Sequence, residues 1–431
     1  MPRPISQPAL TYLSVFSGLG GIDLGLESAG FESRGCIELD QIARESLASN
    51  RPGWKLIEPC EAVHASEVLT PSAIGLRKRQ LTLLAGGPPC QPFSKAAQWS
   101  PTARRGMRDK RAKCLAGYLR LVETFLPRAI LIENVQGFVT GDTSALSRIV
   151  ARLKKINKDH KVNYQLQHWI INAADYGVPQ RRARAILFAA RNGAQVTLPT
   201  PTHANAPVTA WDAIGNLDSP NSDLHPTPNK NWLELLPSIP EGMNYLWHTP
   251  HGGGKPLFGY RTRYWSFLLK LAKEQPAWTL PAQPGPFTGP FHWDNRPLTS
   301  VEMLRLQSFP YSWIVSGSRR EQIRQIGNAT PPLLVEVIGR CIRAAVFDFV
   351  DDNTPILSIP RSEQPVPPPS RTIAIPRKFL KLVDAWPDHP GTGKGPQPVS
   401  IVRASNEKKS SQSAKVRRSN GEARRRSLKS A

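Results

Sequence analysis

A chain of 431 residues with 56 Lys/Arg against 33 Asp/Glu carries a formal charge of +23, and its 40% apolar content is enough for a real core. Such an excess points to polyanionic partners, nucleic acid before anionic membrane, and it is not confined to the tail: Arg403–Ala431 holds ten Lys/Arg and two Asp/Glu, a surplus of +8 that leaves +15 on the preceding 402 residues. No apolar run is long enough to span a bilayer, the opening MPRPISQPALTYLSVF lacks the pattern of a secretory signal, and five cysteines with no C-x-x-C pair argue against a disulfide framework or a zinc site.

That cysteine usage fits a reducing compartment, so a cytoplasmic protein is expected. His248 and His251 have no partner ligands in the sequence, and no metal is expected. The length allows two or three domains, or one large domain with an insertion.

The first 190 residues alternate strand-like and helix-like segments. TYLSVF (Thr11–Phe16) reads as a strand. GIDLGLESAG (Gly21–Gly30) reads as a helix, with Ile22, Leu26 and Ala29 at helical spacing and Gly30 as its stop. SRGCIE, QLTLLAG, AILIEN and ARAILFAA supply further strands, and LAGYLRLVETF a further helix. This alternation predicts an α/β fold: a mostly parallel sheet with helices on both faces. From Asn192 to Asn295 the chain becomes rich in Pro, Gly and aromatics and holds six of the eleven tryptophans. Periodicity is weak there, which predicts a smaller, irregular domain. Order returns at Arg296–Pro310, a helix with Thr299 as N-cap and Glu302 at the capping-box position. Pro331–Phe349 is a second helix, begun by proline. Beyond about Asp351 the composition is that of a Pro-rich linker and a basic disordered tail, with a short helix at RKFLKLVDAW. The expected organisation is therefore a first part over 1–191, an insert over 192–295, a closing part over 296–350, and linker and tail over 351–431.

Three stretches carry chemistry. VFSGLGGIDLG follows a strand and opens a helix, the context of a nucleotide-type cofactor. Its spacing places Asp23 where a third glycine of G-x-G-x-x-G would stand, which argues against a pyrophosphate at the helix N-terminus. An adenosine cofactor without phosphates, such as S-adenosylmethionine, fits better. Glu38 ends the next strand 20 residues after Gly18, where a carboxylate takes ribose hydroxyls. LLAGGPPCQPFS leaves a buried strand through two glycines and two prolines and aims one thiol, Cys90, a strong nucleophile once ionised. AILIENVQGF ends a strand with Glu133, where partial desolvation would raise a carboxyl pKa and suit it to proton donation. YGVPQRRARAILFAA carries Gln180, Arg182 and Arg184 at alternate positions, one face of an extended chain, suited to a carbonyl oxygen or phosphate.

FSGLGG, GGPPCQPFS, ENV, YGVPQRRARA, RPLTSVEMLRLQSFP and QIGNATPPLL stand in the order found in DNA (cytosine-5) methyltransferases, and over about half its length the chain resembles that family. The resemblance implies a Rossmann-like S-adenosylmethionine-dependent methyltransferase sheet with a target-recognition domain at the insert. It implies that cytosine is flipped from the duplex, that Cys90 attacks C6, that Glu133 protonates or hydrogen-bonds N3, and that Arg184 holds O2 with Arg182 supporting the pocket. Phe16 would stack on adenine and Glu38 bind the ribose. Gly18, Leu19, Gly20, Gly21, Pro89 and Asn328 would complete the cofactor site. Arg261 and Arg263 of the insert are candidates for bases or phosphates. The acid that often contacts the adenine amine has only Glu61 and Glu67 as nearby candidates, and Thr82 replaces an Asp common ahead of the cysteine block.

The implied partner is double-stranded DNA, with a restriction endonuclease as a functional companion or none, and the protein is expected to act as a monomer. No long regulatory segment precedes the motifs, which suits a bacterial modification enzyme. A tRNA cytosine-5 methyltransferase of the same architecture is the alternative. A silent nucleic-acid-binding scaffold would have lost Cys90, Glu133 or the arginines, and a nicotinamide dehydrogenase is disfavoured by the loop spacing.

Overall fold

The computed structural model describes residues 9–59, 61–89, 112–141, 144–217, 232–260, 265–349 and 354–383. The chain divides into two compact units. The larger takes Met1–Pro226, Lys273–Pro284 and Leu298–Pro367; the smaller takes Thr227–Ala272, Gly285–Pro297 and Pro368–Ala431.

The larger unit begins with β1 (Thr11–Val15), α1 (Gly21–Ser28), β2 (Glu32–Ile37), α2 (Gln41–Asn50), α3 (Ala62–Val68) and β3 (Leu83–Gly86). It continues with α4 (Ala112–Phe125), β4 (Ala129–Asn134), α5 (Leu146–His160), β5 (Gln167–Asn172), β6 (Gln180–Arg181) and β7 (Ala183–Ala190). Six of these strands form one sheet in the order β2-β1-β3-β4-β7-β5. The first four are mutually parallel, whereas β7 runs antiparallel to both β4 and β5. Strand β5 therefore points the same way as the first four, and the sheet is mostly parallel, as expected, with β7 alone reversed. The reason is connection length: the segment between β5 and β7 is too short for a crossover helix, so β7 must return in the opposite sense.

Side chains alternate across the sheet as strand geometry requires. Leu13, Leu84 and Ile130 join Leu119 and Val122 of α4 and Ile149 and Leu153 of α5 in one apolar cluster. Tyr12, Leu83 and Leu131 face the other way, onto Ile22 and Leu26 of α1. That second cluster is completed from far along the chain. After α6 (Ala210–Ile214), β8 (Ala277–Trp278), α7 (Ser300–Leu306) and α8 (Arg319–Asn328), the helix α9 (Pro332–Phe347) brings Leu333 and Ile338 against α1. The closing helices start where the sequence places their signals. Thr299 and Glu302 form a reciprocal capping box, and proline opens α9.

Within the stretch expected as linker, residues 354–383 make specific contacts. Ile356 and Leu357 donate their backbone N–H to the buried Glu336 carboxylate at 2.7 and 2.9 Å. Arg361 pairs with Asp212 at 3.1 Å. The smaller unit has its own core of Leu233, Leu236, Tyr245, Phe291 and Phe379, with Trp232 stacked on Phe379 at 5.7 Å between ring centroids. Among the described residues no helix is long and apolar enough to cross a membrane.

Candidate active site

Parallel strands deliver whatever follows them to one edge of the sheet, and open α/β sheets place ligands there. Phe16–Gly21 follows β1, Glu38 follows β2, Gly87–Pro89 follows β3, and Glu133 and Asn134 close β4. Because β7 is antiparallel, its beginning, not its end, lies at this edge, and so Arg182 and Arg184 arrive there too. Together these groups line one cleft of about 580 Å³, with the exception of Gly20, which faces Leu47 and Trp54 and not the cleft. Leu19, Gly327 and Asn328 also line it, the last at the exposed end of α8. Cys90 lies outside the described residues, as do Arg261 and Arg263, and the description of the cysteine turn ends at Pro89.

The cofactor end is built around Glu38. Its carboxylate accepts N–H bonds from Gly18 at 2.7 Å and from Asp40 at 2.8 Å, tying the glycine loop to the start of α2. Burial raises its pKa, and the Asp40 and Gly18 amides oppose that. Gly18 adopts φ +55°, and a Cβ placed there would meet no atom of the described residues within 4 Å. The cleft therefore has bare backbone facing open space beside a carboxylate, which fits the adenosine and ribose of S-adenosylmethionine. Asp40 caps α2 through Ile42 and Ala43 and pairs at 2.5 Å with Arg324 of α8. Of the two acids considered for the adenine amine, Glu61 lines the cleft, whereas Glu67 is engaged by Arg120 at 2.9 Å. Sequence reasoning passed over Leu39, which is 63% exposed and lines the same end. Its signal was an apolar residue directly after the strand-end acid.

Asp23 corrects an inference from spacing. Its carboxyl does not face the cleft. It is 0% exposed, accepts from Ser14 Oγ and, at 3.2 Å, from Cys36 Sγ, and its other oxygen has no hydrogen-bond partner among the described residues. Burial raises its pKa from 3.8 to about 6. An acid turned into the core says nothing about phosphates in the cleft, so the argument against a dinucleotide loses its stated ground. Ser14 Oγ lies 2.7 Å from Ser17 Oγ in the glycine loop, so this buried acid supports the loop from beneath.

The other end of the cleft holds the reactive constellation. Arg184 Nε lies 2.7 Å from Glu133 Oε1, with both side chains only 11% exposed. The Asn134 side chain donates to the Pro88 carbonyl at 2.8 Å and so fixes the double-proline turn to the end of β4. Gln180, Arg182 and Arg184 do not lie on one continuous strand. The chain breaks between β6, which pairs with β8, and β7, which enters the main sheet. Gln180 and Arg182 turn towards the returning segment instead. Arg182 is 2% exposed and donates at 2.9 Å to the carbonyls of both Gly327 and Ala329, while Gln180 donates to Leu306 at 3.3 Å. The glycine loop is held from behind by the same returning segment: Trp313 Nε1 donates to the Leu19 carbonyl at 3.2 Å. His248 is bonded to Ser238 at 2.9 Å, and among the described residues no group of three or more His, Cys, Asp or Glu could hold a metal ion.

A sheet with a glycine loop after its first strand and a half-buried carboxylate after its second, both opening on one cleft, is built for an adenosine cofactor, and the family match identifies that cofactor class as S-adenosylmethionine. The profile of the family described as C-5 cytosine-specific DNA methylase matches residues 10–344. Type II methyltransferase M.SacI of Streptomyces achromogenes is 35% identical over 371 residues, covering 77% of this chain and 92% of that protein. Type II methyltransferase M.Eco47II of Escherichia coli is 32% identical over 361 residues, covering 78% and 80%. Among solved structures, the methyltransferase EhMeth of Entamoeba histolytica shares the fold with a TM-score of 0.52 at 16% identity, over 79% of this chain and 99% of that one. The chain belongs to the C-5 cytosine-specific DNA methylase family and is a S-adenosylmethionine-dependent cytosine-5 methyltransferase.

Proposed function

We propose that the protein methylates cytosine within a specific sequence of duplex DNA, as a cytoplasmic bacterial modification enzyme. The observation that carries this reading is the Glu133–Arg184 pair beside the Pro88–Pro89 turn, at the opposite end of the cleft from Glu38. A carboxyl and a guanidinium side by side match the N3 and O2 edge of one cytosine. Such a buried pair cannot reach a base within the stack, so the base must swing out. Arg184 holds O2 and Glu133 holds or supplies the proton at N3, which draws electrons from C6. Cys90 then adds to C6, and the electron pair moves to C5. That pair at C5 would take the electrophilic methyl group that S-adenosylmethionine supplies when bound, with S-adenosylhomocysteine as the leaving product. Loss of the C5 proton and departure of Cys90 restore the aromatic ring. Glu38 orients the ribose, Phe16 and Leu39 flank the adenine, and Glu61 accepts from its amine. The insert at 192–295 reads the target sequence.

The description of the matching family as a DNA methylase favours DNA over RNA. The test is a competition in which methyl-labelled S-adenosylmethionine is offered with equal amounts of genomic duplex DNA and folded tRNA. Label is expected in 5-methylcytosine of the DNA at one recurring sequence. Label confined to the tRNA would overturn the substrate assignment and leave the cytosine chemistry in place.

A further inference from the structure

The edge of the sheet opposite the cleft is strongly cationic. There the turn Arg77–Gln80 leads into β3, Arg128 precedes β4, Arg191 follows β7, and α5 ends. Backbone bonds knit these pieces together: Arg79 N–H to Phe125 O at 2.9 Å, Arg128 N–H to Leu81 O at 2.9 Å, Arg191 N–H to Arg128 O at 2.8 Å and Asn163 N–H to Arg191 O at 2.8 Å. The arginine side chains are spent on carbonyls, not carboxylates. Arg79 donates to His160 O at 2.8 Å and Arg191 to Arg79 O at 3.0 Å. Burial holds the Arg191 guanidinium below its ordinary value, opposed by Tyr164 and reinforced by the neighbouring charges of Arg79 and Arg128.

The adjoining face of α5 adds exposed Lys154, Lys155, Lys158 and, just past its end, Lys161. Lys154, Lys158 and Lys161 stand at about one-turn intervals of roughly 5 Å, a row suited to phosphates along one strand. The acids on hand are few. Glu123 is committed to Arg152 and, at 3.5 Å, to His160; Asp159 is exposed on α5, and Asp348 lies near Arg128 and favours its charge. Among the described residues, no carboxylate lies within ion-pair distance of the Arg77–Arg79 turn or of these lysines.

A six-residue strand separates this edge from the Glu133 edge by about 20 Å, the width of a duplex. One straight duplex seated in the cleft therefore does not cover it. We propose that this face binds a second segment of duplex DNA through its phosphates, independently of sequence. The proposal rests on the duplex-substrate reading above. Its consequence is that the enzyme stays on long DNA between methylation events, since the contact works by counterion release and tracks the backbone.

The test is lysine footprinting. The full-length protein is treated with an amine-acylating reagent alone, with one equivalent of short duplex carrying one methylated-site sequence, enough to fill the cleft only, and with long duplex at the same molar ratio. Long duplex is expected to lower acylation of Lys154, Lys155 and Lys158 several-fold, and short duplex to leave it unchanged. In parallel, the variant K154Q/K155Q/K158Q should lower the salt slope for long-duplex binding by about 2 to 3, with kcat/KM on the short duplex unaltered. Equal protection by short duplex would make the face part of the substrate site and overturn the proposal. So would undiminished acylation with long duplex, or protection by anionic phospholipid vesicles in place of DNA. Failure of the duplex-substrate reading is seen separately, as absence of methyl transfer to either duplex by the unmodified protein.

Discussion

Asp23 is the residue where burial and charge conflict most sharply. With its folded pKa raised from 3.8 to about 6 by desolvation, the native state holds the proton more tightly than the unfolded chain. Its contribution to stability is therefore fully present below about pH 4 and is lost as pH rises through about 6. A shift of that size corresponds to about 3 kcal/mol. Asp23→Asn keeps the acceptor towards Ser14 and Cys36 but cannot ionise. Denaturant unfolding from pH 4 to 7 should show the stability of the variant gaining on the parent across this window. Parallel pH profiles would contradict the assignment. The same titration reaches the glycine loop through Ser14 and Ser17, so cofactor affinity should follow it.

Among the elements, α1 separates two functions of glycine that the sequence leaves indistinguishable. A Cβ at Gly21 would lie 2.0 Å from the Thr330 carbonyl, so Gly21→Ala must push α1 away from the start of α9. That overpacking should cost about 1–3 kcal/mol, read as a lowered urea midpoint without cofactor. A Cβ at Gly18 meets no atom of the described residues, so Gly18→Ala should cost only the left-handed strain of about 1–2 kcal/mol. Its larger effect should be a raised KM for S-adenosylmethionine. If Gly18→Ala proved the more destabilising of the two in the absence of cofactor, the cleft would be placed wrongly. The strands of the first half were readable because their apolar runs are continuous, and α7 and α9 because their caps are explicit. The antiparallel return of β7 was not, since no periodicity reports strand direction. Nor was the break at Arg182, whose buried contacts come from Gly327 and Ala329, 145 and 147 residues further on. Residues 354–367 read as linker because proline-rich composition does not reveal Glu336, a buried acceptor waiting on α9.

Taken as a whole molecule, the larger unit uses its sheet to gather residues remote in sequence at one edge. Glu38, Glu133, Arg184 and Asn328 come from segments that the sequence separates by as many as 290 positions, yet they line one cleft. Their order along the chain, not their spacing, was the legible feature, and it is what the family resemblance rested on. On the function proposed above, this cleft presents cytosine to the thiol of Cys90, which follows the double-proline turn in sequence. The most direct measurement uses duplex DNA in which 5-fluorocytosine replaces cytosine throughout, incubated with S-adenosylmethionine and the full-length protein. Fluorine cannot leave as a proton, so the adduct between Cys90 and C6 should persist. A denaturation-resistant protein–DNA complex is expected with the parent protein and none with Cys90→Ser. A complex that forms equally well without Cys90, or methylated DNA with no complex at all, would contradict the proposed function.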